Sequence, residues 1–300
     1  MKNFLNFVEI QTKLAAILPF LTALAFVFYT TGTIDLISTL IYLPAALFLD
    51  MSVTAINNHL NSREEKDTPH YSNFTGFAII VLMLFISAGL GVYLVYLHGF
   101  TLFVAGAFCF FIGIIYTVGP APISKSAYGE VASGFVMGTI IMFIVVTINN
   151  PYFQPLGLVF DHNNMRLMMD VDIIGLISFI IVTLPLAFCI ANIMLANNIC
   201  DAEKDRAFRY TLVHNIGIKN ALRVFAGLYY GAFIAIVVAC ILGLIPIWSL
   251  ATLITWIPVQ KNIRLFFDKQ LKSETFVLSV KNFVMIILVY ALSIAIGGLL

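Results

Sequence analysis

Charge is what this 300-residue sequence has least of: Asp, Glu, Lys and Arg together make up 10% of it. Average globular chains carry about 25%, so a soluble globule is excluded. Cysteine is also scarce. Cys109, Cys189, Cys200 and Cys240 lie singly, without the spacing of a metal site. Three of them sit in apolar runs and read as packing residues. Cys200 falls within a polar cluster, where packing and closeness to a ligand are the two readings. The five histidines form no HxxxH pattern, which leaves a zinc or haem site with little support. No polar stretch is long enough for a soluble domain.

What the chain has in abundance is apolar sequence. It is 61% hydrophobic, with a mean hydropathy of +1.01. Apolar runs of about 18 residues or more read as membrane-spanning helices. Nine are predicted, over 14–31, 35–58, 76–97, 100–118, 128–149, 173–197, 220–243, 245–260 and 277–299. The expected fold is therefore an all-α polytopic membrane bundle, with residues 1–300 forming one integral membrane domain. The first span has no small-residue cleavage site before the next and reads as a retained anchor. The outer loop at 150–172 holds Asn149-Asn150-Pro151 and Asp161-His162-Asn163-Asn164, which read as turns.

With the N-terminus inside, the inner segments hold fifteen of the sixteen basic residues, and only Arg166 is left outside. This partition is a positive-inside signal. It predicts a multi-pass protein of the cell membrane with a cytoplasmic N-terminus.

The polar residues that do occur are clustered. Asn57-Asn58-His59-Leu60-Asn61 recurs 140 residues later as Asn197-Asn198-Ile199-Cys200-Asp201. Each copy stands where an apolar run meets water on the cytoplasmic side. The spacing covers an even number of spans, so both copies point the same way, as in a parallel repeat. Two half-sites facing one cavity are expected.

Asn197, Asp201 and Asp205 follow at intervals of four and stack on one helical face. Asn57, Asn61 and Glu65 form the matching stripe. Adjacent asparagines at membrane depth are costly without partners. Oxygen clusters of this kind suit a hard cation such as Mg²⁺, with a phosphorylated ligand completing its shell. Asp50 lies two turns before Asn57, in an apolar run. It is a functional carboxylate or one end of a helix–helix hydrogen bond.

A third segment runs Tyr116-Thr117-Val118-Gly119-Pro120-Ala121-Pro122-Ile123-Ser124-Lys125, followed by Gly129-Glu130. Its glycine and prolines force irregular backbone, which at this depth is tolerated mainly where it lines a cavity. Lys125 is the only basic residue of that loop. It is placed to meet an anion, or it serves topology alone. Carboxylates, a lone lysine and greasy surroundings together suit a lipid diphosphate. Mg²⁺ would make the diphosphate a leaving group, and the lysine would stabilise the charge growing on it.

These residues resemble the UbiA superfamily of intramembrane aromatic prenyltransferases. That family has nine transmembrane helices and two motifs, roughly NDxxDxxxD and DxxxD, on the second and sixth. Asn57-Asn58-His59-Leu60-Asn61 occupies the first and Asp201-Ala202-Glu203-Lys204-Asp205 the second. Gly119 to Lys125 with Gly129-Glu130 resembles the 1,4-dihydroxy-2-naphthoate polyprenyltransferase branch, as does the opening Glu9-Ile10-Gln11-Thr12-Lys13 with Pro19. The resemblance implies a central cavity open to the cytoplasmic face. It implies transfer of a polyprenyl group from its diphosphate to 1,4-dihydroxy-2-naphthoate, in menaquinone biosynthesis. Asn57, Asn61, Asp201 and Asp205 would hold Mg²⁺. Arg63, Lys125, Asn57 and Asn198 would bind substrate. Asp201, Asp205, Lys125 and Tyr116 would be catalytic, with cavity packing as the other reading of Tyr116. The chain departs from the family at Asn61, where relatives carry aspartate, and Glu64, Glu65 or Asp67 would compensate.

The alternatives are another aromatic acceptor, 4-hydroxybenzoate or the vinyl group of haem, and a membrane transporter. A transporter would spread polar residues over both sides of the membrane, whereas here they crowd at the inner face. The expected partners are a polyprenyl diphosphate, an aromatic acceptor and the lipid bilayer, with no nucleic acid. Oligomeric state is left open.

Overall fold

The computed structural model describes residues 2–61, 73–150, 155–161, 164–205 and 209–300. A short helix α1 (Lys2–Phe7) and a 3₁₀ turn (Ile10–Lys13) lead into α2 (Leu14–Thr31). Gly32, at φ 70°, takes the left-handed conformation that closes α2. There follow α3 (Leu36–Asn61), α4 (Asn73–His98) and α5 (Phe100–Thr117). Gly119, at φ 122°, and the prolines after it stop α5. A 3₁₀ turn (Ile123–Lys125) then leads to α6 (Gly129–Gly134), a π-helical segment (Phe135–Ile140) and α7 (Ile141–Asn149) in one continuous span.

On the far side of that span the chain forms two antiparallel strands, β1 (Leu156–Asp161) and β2 (Arg166–Val171). The strands are an addition to the all-α expectation, which left residues 150–172 as an outer loop with turns. Asp161 accepts both the backbone N–H and the side-chain amide of Asn164; His162 and Asn163 of the expected turn, and Pro151 of the other, lie outside the described residues.

The second half comprises α8 (Ile173–Cys200), α9 (Ala202–Asp205), α10 (Leu212–Ile216) and α11 (Ile218–Ile241). The Asp172 carboxylate caps α8 by accepting from Gly175 N–H at 2.9 Å. A 3₁₀ stretch (Ile247–Thr255) runs into α12 (Trp256–Asp268), and α13 (Phe276–Leu299) ends the chain.

Among the described residues, eight helices are long and apolar enough to cross a membrane by length and composition. The chain is thus a multi-pass, essentially all-α membrane protein. The predicted run at 245–260 takes another form: residues 247–255 are 3₁₀ and residues 256–260 open the amphipathic α12, which carries Lys261 and Arg264.

The bundle closes because α13 packs against both α2 and α8, while α3, α4 and α5 pack together. Small residues set the closest approach. A Cβ on Gly134 would lie 2.5 Å from the Ala187 carbonyl oxygen, and one on Gly138 2.5 Å from its nitrogen. These glycines, four apart, let the Gly129–Asn149 span press onto α8. That contact brings Glu130 to the polar end of α8.

Candidate active site

A cavity of about 800 Å³ opens between α3, α4, α5, the α6–α7 span and α8. Its lining changes along the helices. Tyr42 on α3, Leu102 and Cys109 on α5, Ile141 on α7 and Ile190 on α8 make the apolar depth. One end is polar, with Glu9, Asn57, Asn58, Tyr116, Asn197, Asp201, Lys204, Asp205, Arg209 and Lys272. Both halves of the repeated cluster therefore face one cavity.

The second half-site extends α8 by backbone hydrogen bonds of helical reach. Asp201 N–H bonds to the Asn197 carbonyl at 3.0 Å, Asp205 N–H to Asp201 at 2.8 Å and Arg209 N–H to Asp205 at 2.9 Å. This ladder holds Asn197, Asp201, Asp205 and Arg209 in line, as the spacing of four predicts. Lys272 forms an ion pair with Asp201 Oδ2. Arg209 Nε lies 3.7 Å from Asp205 Oδ1. The other oxygen of Asp205 is buried and has no partner among the described residues. Burial pushes the Asp205 carboxyl above the usual range, with the Arg209 charge opposing. His214 braces the loop, with Nε2 3.0 Å from the Ala202 carbonyl and Nδ1 3.0 Å from the Thr211 hydroxyl.

The first half-site is richer in amides. Asn57 lines the cavity. The buried Asn58 donates to the Phe7 carbonyl at 3.0 Å and to Glu9 Oε1 at 3.1 Å, tying the N-terminal segment to α3. The side chain of Asn61 and the residues Arg63, Glu64, Glu65 and Asp67 lie outside the described residues. Asp50 also lines the cavity, and its Oδ2 is 3.0 Å from Lys13 Nζ. Lys13 is only 2% exposed and donates to the Thr54 hydroxyl at 2.8 Å. Asp50 is thus one end of an interhelical ion pair.

The third segment contributes Tyr116 and Ser124 to the lining. The Tyr116 hydroxyl is buried without a partner among the described residues, within electrostatic reach of Glu130 and Arg209. Lys125 is half-buried and stands next to Ser124, but is not itself part of the lining. Its carbonyl accepts from Tyr210 N–H at 2.9 Å, which fastens this loop beside Arg209. Asn198 also lies off the cavity. It is 2% exposed and donates to Glu130 Oε1 at 2.9 Å.

Sequence reasoning gave no site role to four of the lining charges, Glu9, Lys204, Arg209 and Lys272. Arg209 carried a signal, being four residues beyond Asp205 on the same stripe. Lys272 carried none, since it meets Asp201 across 71 residues of chain. Glu9 reaches Asn58 across 49 residues.

The sequence model of the UbiA prenyltransferase family matches residues 16–288, nearly the whole chain. The chain belongs to the UbiA prenyltransferase family. It is 28% identical over 253 residues to the 1,4-dihydroxy-2-naphthoate octaprenyltransferase of Bacillus subtilis strain 168, covering 79% of this chain and 73% of that protein. Its fold is shared with a UbiA homologue from Archaeoglobus fulgidus solved bound to GPP and Mg²⁺. That match has a TM-score of 0.66 and 14% identity, over 98% of this chain and 99% of the other. The apo UbiA homologue from Aeropyrum pernix K1 gives a TM-score of 0.64 and 14% identity, over 96% of each chain.

The donor set of this UbiA-family chain fits a hard divalent cation. Among the described residues no three His, Cys, Asp or Glu side chains gather as a metal cluster. The oxygen-bearing side chains that line the polar end of the cavity include the carboxylates Asp201, Asp205 and Glu9 and the amides Asn57, Asn58 and Asn197. Amide and carboxylate oxygens are what such an ion takes, and the unpartnered oxygen of Asp205 has room for one more contact.

Proposed function

We propose that this UbiA-family chain transfers a polyprenyl group from polyprenyl diphosphate to 1,4-dihydroxy-2-naphthoate. The carbon–oxygen bond to diphosphate breaks and a carbon–carbon bond to the ring forms. The ring carboxyl leaves as carbon dioxide, giving demethylmenaquinol for menaquinone biosynthesis. One observation carries the reading: a single cavity joins a charged mouth, fit for a metal–diphosphate, to an apolar depth, fit for an isoprenoid tail. The acceptor follows from the likeness to the Bacillus subtilis octaprenyltransferase.

Asn57, Asn61, Asp201 and Asp205 hold Mg²⁺, which when bound neutralises the diphosphate and makes it a leaving group. Arg63, Lys125 and Arg209 bind diphosphate oxygens, and Lys272 exchanges Asp201 for them. Asn198 serves the site by holding Glu130. Tyr116 presents its ring and hydroxyl to the reacting carbon. The apolar walls keep water from the allylic cation. The cavity opens to the cytoplasm, on the side where the basic residues gather, and the whole chain works as one domain in the cell membrane.

The test is an assay of purified protein with Mg²⁺, a polyprenyl diphosphate and a panel of acceptors that includes 4-hydroxybenzoate. Prenylated 1,4-dihydroxy-2-naphthoate is expected. Asp201→Ala and Asp205→Ala should be folded and inactive, and excess EDTA should silence the wild type. Turnover near wild type in either variant, or in EDTA, rules out the metal role. Prenylation of a different acceptor corrects the substrate.

A further inference from the structure

The two half-sites are copies in sequence that differ in carboxylate charge at one position of the shared stripe; Glu65, the counterpart of Asp205, lies outside the described residues. In the internal repeat Asn61 stands where the second copy has Asp201. The second half-site brings two carboxylates to the cavity, Asp201 and Asp205, while α3 brings the amides Asn57 and Asn58. Asp50, the one α3 carboxylate in the lining, is neutralised by the buried ammonium of Lys13. Taken from α3 alone, the first half-site has no free negative charge among the described residues.

Glu9 occupies that gap. It belongs to the N-terminal segment, lines the cavity, and its Oε1 is held 3.1 Å from Asn58 Nδ2. No cation pairs with it among the described residues. Its backbone sits at φ 47°, ψ 59°, in the left-handed region. This conformation is uncommon for a residue with a long side chain and tends to persist where the surroundings impose it. Here the Phe7 carbonyl, also bonded to Asn58, and the Thr12 hydroxyl and N–H, both bonded to the Glu9 carbonyl, impose it. The same cavity is lined by Asp205, one of whose oxygens is buried without a hydrogen-bond partner among the described residues.

We propose that Glu9 supplies to the first half-site the carboxylate charge that Asn61 does not, and so sets the affinity of the cavity for the metal–diphosphate pair. The inference rests on the prenyltransferase reading. It makes Glu9 a binding residue delivered from the N-terminal segment, outside both copies of the repeat.

The experiment uses the full chain in detergent and reads thermal stabilisation by geranyl diphosphate as Mg²⁺ is titrated, with no acceptor present. Glu9→Gln keeps an oxygen for the Asn58 hydrogen bond and removes only the charge. It should raise the Mg²⁺ concentration for half-maximal stabilisation roughly tenfold, equivalent to about 1.4 kcal/mol. Adding Asn61→Asp to Glu9→Gln should bring the requirement back toward wild type. A Glu9→Gln curve superimposed on wild type overturns the proposal. So does a weakened curve that Asn61→Asp leaves where it was, because that marks a structural role for the N-terminal segment. A wild type that geranyl diphosphate and Mg²⁺ do not stabilise at all sinks the prenyltransferase reading and this inference with it.

Discussion

Asn198 on α8 donates a 2.9 Å hydrogen bond to Glu130 on α6, and the two side chains are 2% and 3% exposed. The second oxygen of Glu130 has no partner among the described residues. A buried carboxyl tied by one amide makes that amide hard to replace. Asn198→Ala should destabilise the protein by about 1–3 kcal/mol, the cost of a buried acceptor left without its donor. Because Asn198 is off the cavity, the Mg²⁺ requirement should stay as in wild type. A stable variant with a shifted Mg²⁺ requirement would return Asn198 to the substrate site.

The glycines that bring Glu130 to Asn198 are testable in the same way. A Cβ at Gly138 meets backbone atoms of Ala187 at 2.5 and 2.6 Å. Backbone cannot rotate aside as a side chain can. Gly138→Val should therefore cost at least the usual 1–3 kcal/mol or so of overpacking. Unfolding temperature in detergent measures it. Gly227→Val on α11, where nothing lies within 4 Å of the added carbon, is the control and should change little.

Lys13 and Asp50 pair at 3.0 Å between the 3₁₀ turn and α3. Removing one partner of a buried pair costs about 3–5 kcal/mol because the other charge is stranded. Asp50 is 21% exposed, so Lys13→Met should fall near the lower end, about 3 kcal/mol. Lys13→Met with Asp50→Asn should recover most of it. If the double variant is no more stable than the single one, the pair is not what Lys13 contributes.

At the opposite end of the bundle Asp35 accepts from the Ser38 hydroxyl at 2.7 Å and its N–H at 3.1 Å. The hydroxyl bond, more than the others, holds the Asp35 carboxyl below its ordinary value. A depressed carboxyl adds stability above its unfolded value and loses it as pH falls through the folded one. Ser38→Ala should flatten the fall in thermal stability below about pH 4. Parallel pH profiles for wild type and variant would show that Asp35 titrates unassisted.

The spans were legible because hydropathy marks them: eight apolar runs became helices whose ends shift by only a few residues. Asn197, Asp201 and Asp205 were legible because spacing by four is local information. What escaped was either non-local or masked by composition. Lys272 meets Asp201, and Glu9 meets Asn58, only once the bundle has closed. The strands had a signal, since turn-type residues at 161–164 stand between two apolar stretches of the sequence, but six-residue strands are lost beside spans of twenty. Asn198 and Asn197 are neighbours in sequence and look alike. The helix turns one to the cavity and the other to Glu130.

The same contact of Lys272 with Asp201 bears on the number of crossings. Residues 218–241 leave the polar end of the cavity on α11, just after His214 braces Ala202. At the far end Pro246 lies against Gly297, beside the contact of Gly298 with Tyr29 near the end of α2. Lys272 is back at the polar end. Of the residues between, Ile247–Asp268 are the helical ones. Nine residues of 3₁₀ helix at about 2.0 Å each and thirteen of α-helix at about 1.5 Å each reach roughly 37 Å, enough for a hydrocarbon core of about 30 Å. We expect this stretch to be the ninth crossing despite its mixed form. In a cysteine-free background, a cysteine at Gly243 should react with a membrane-impermeant maleimide only from outside intact cells. One at Ser273 should react only after the inner face is opened. Labelling of both from one side would leave eight crossings and reverse α13.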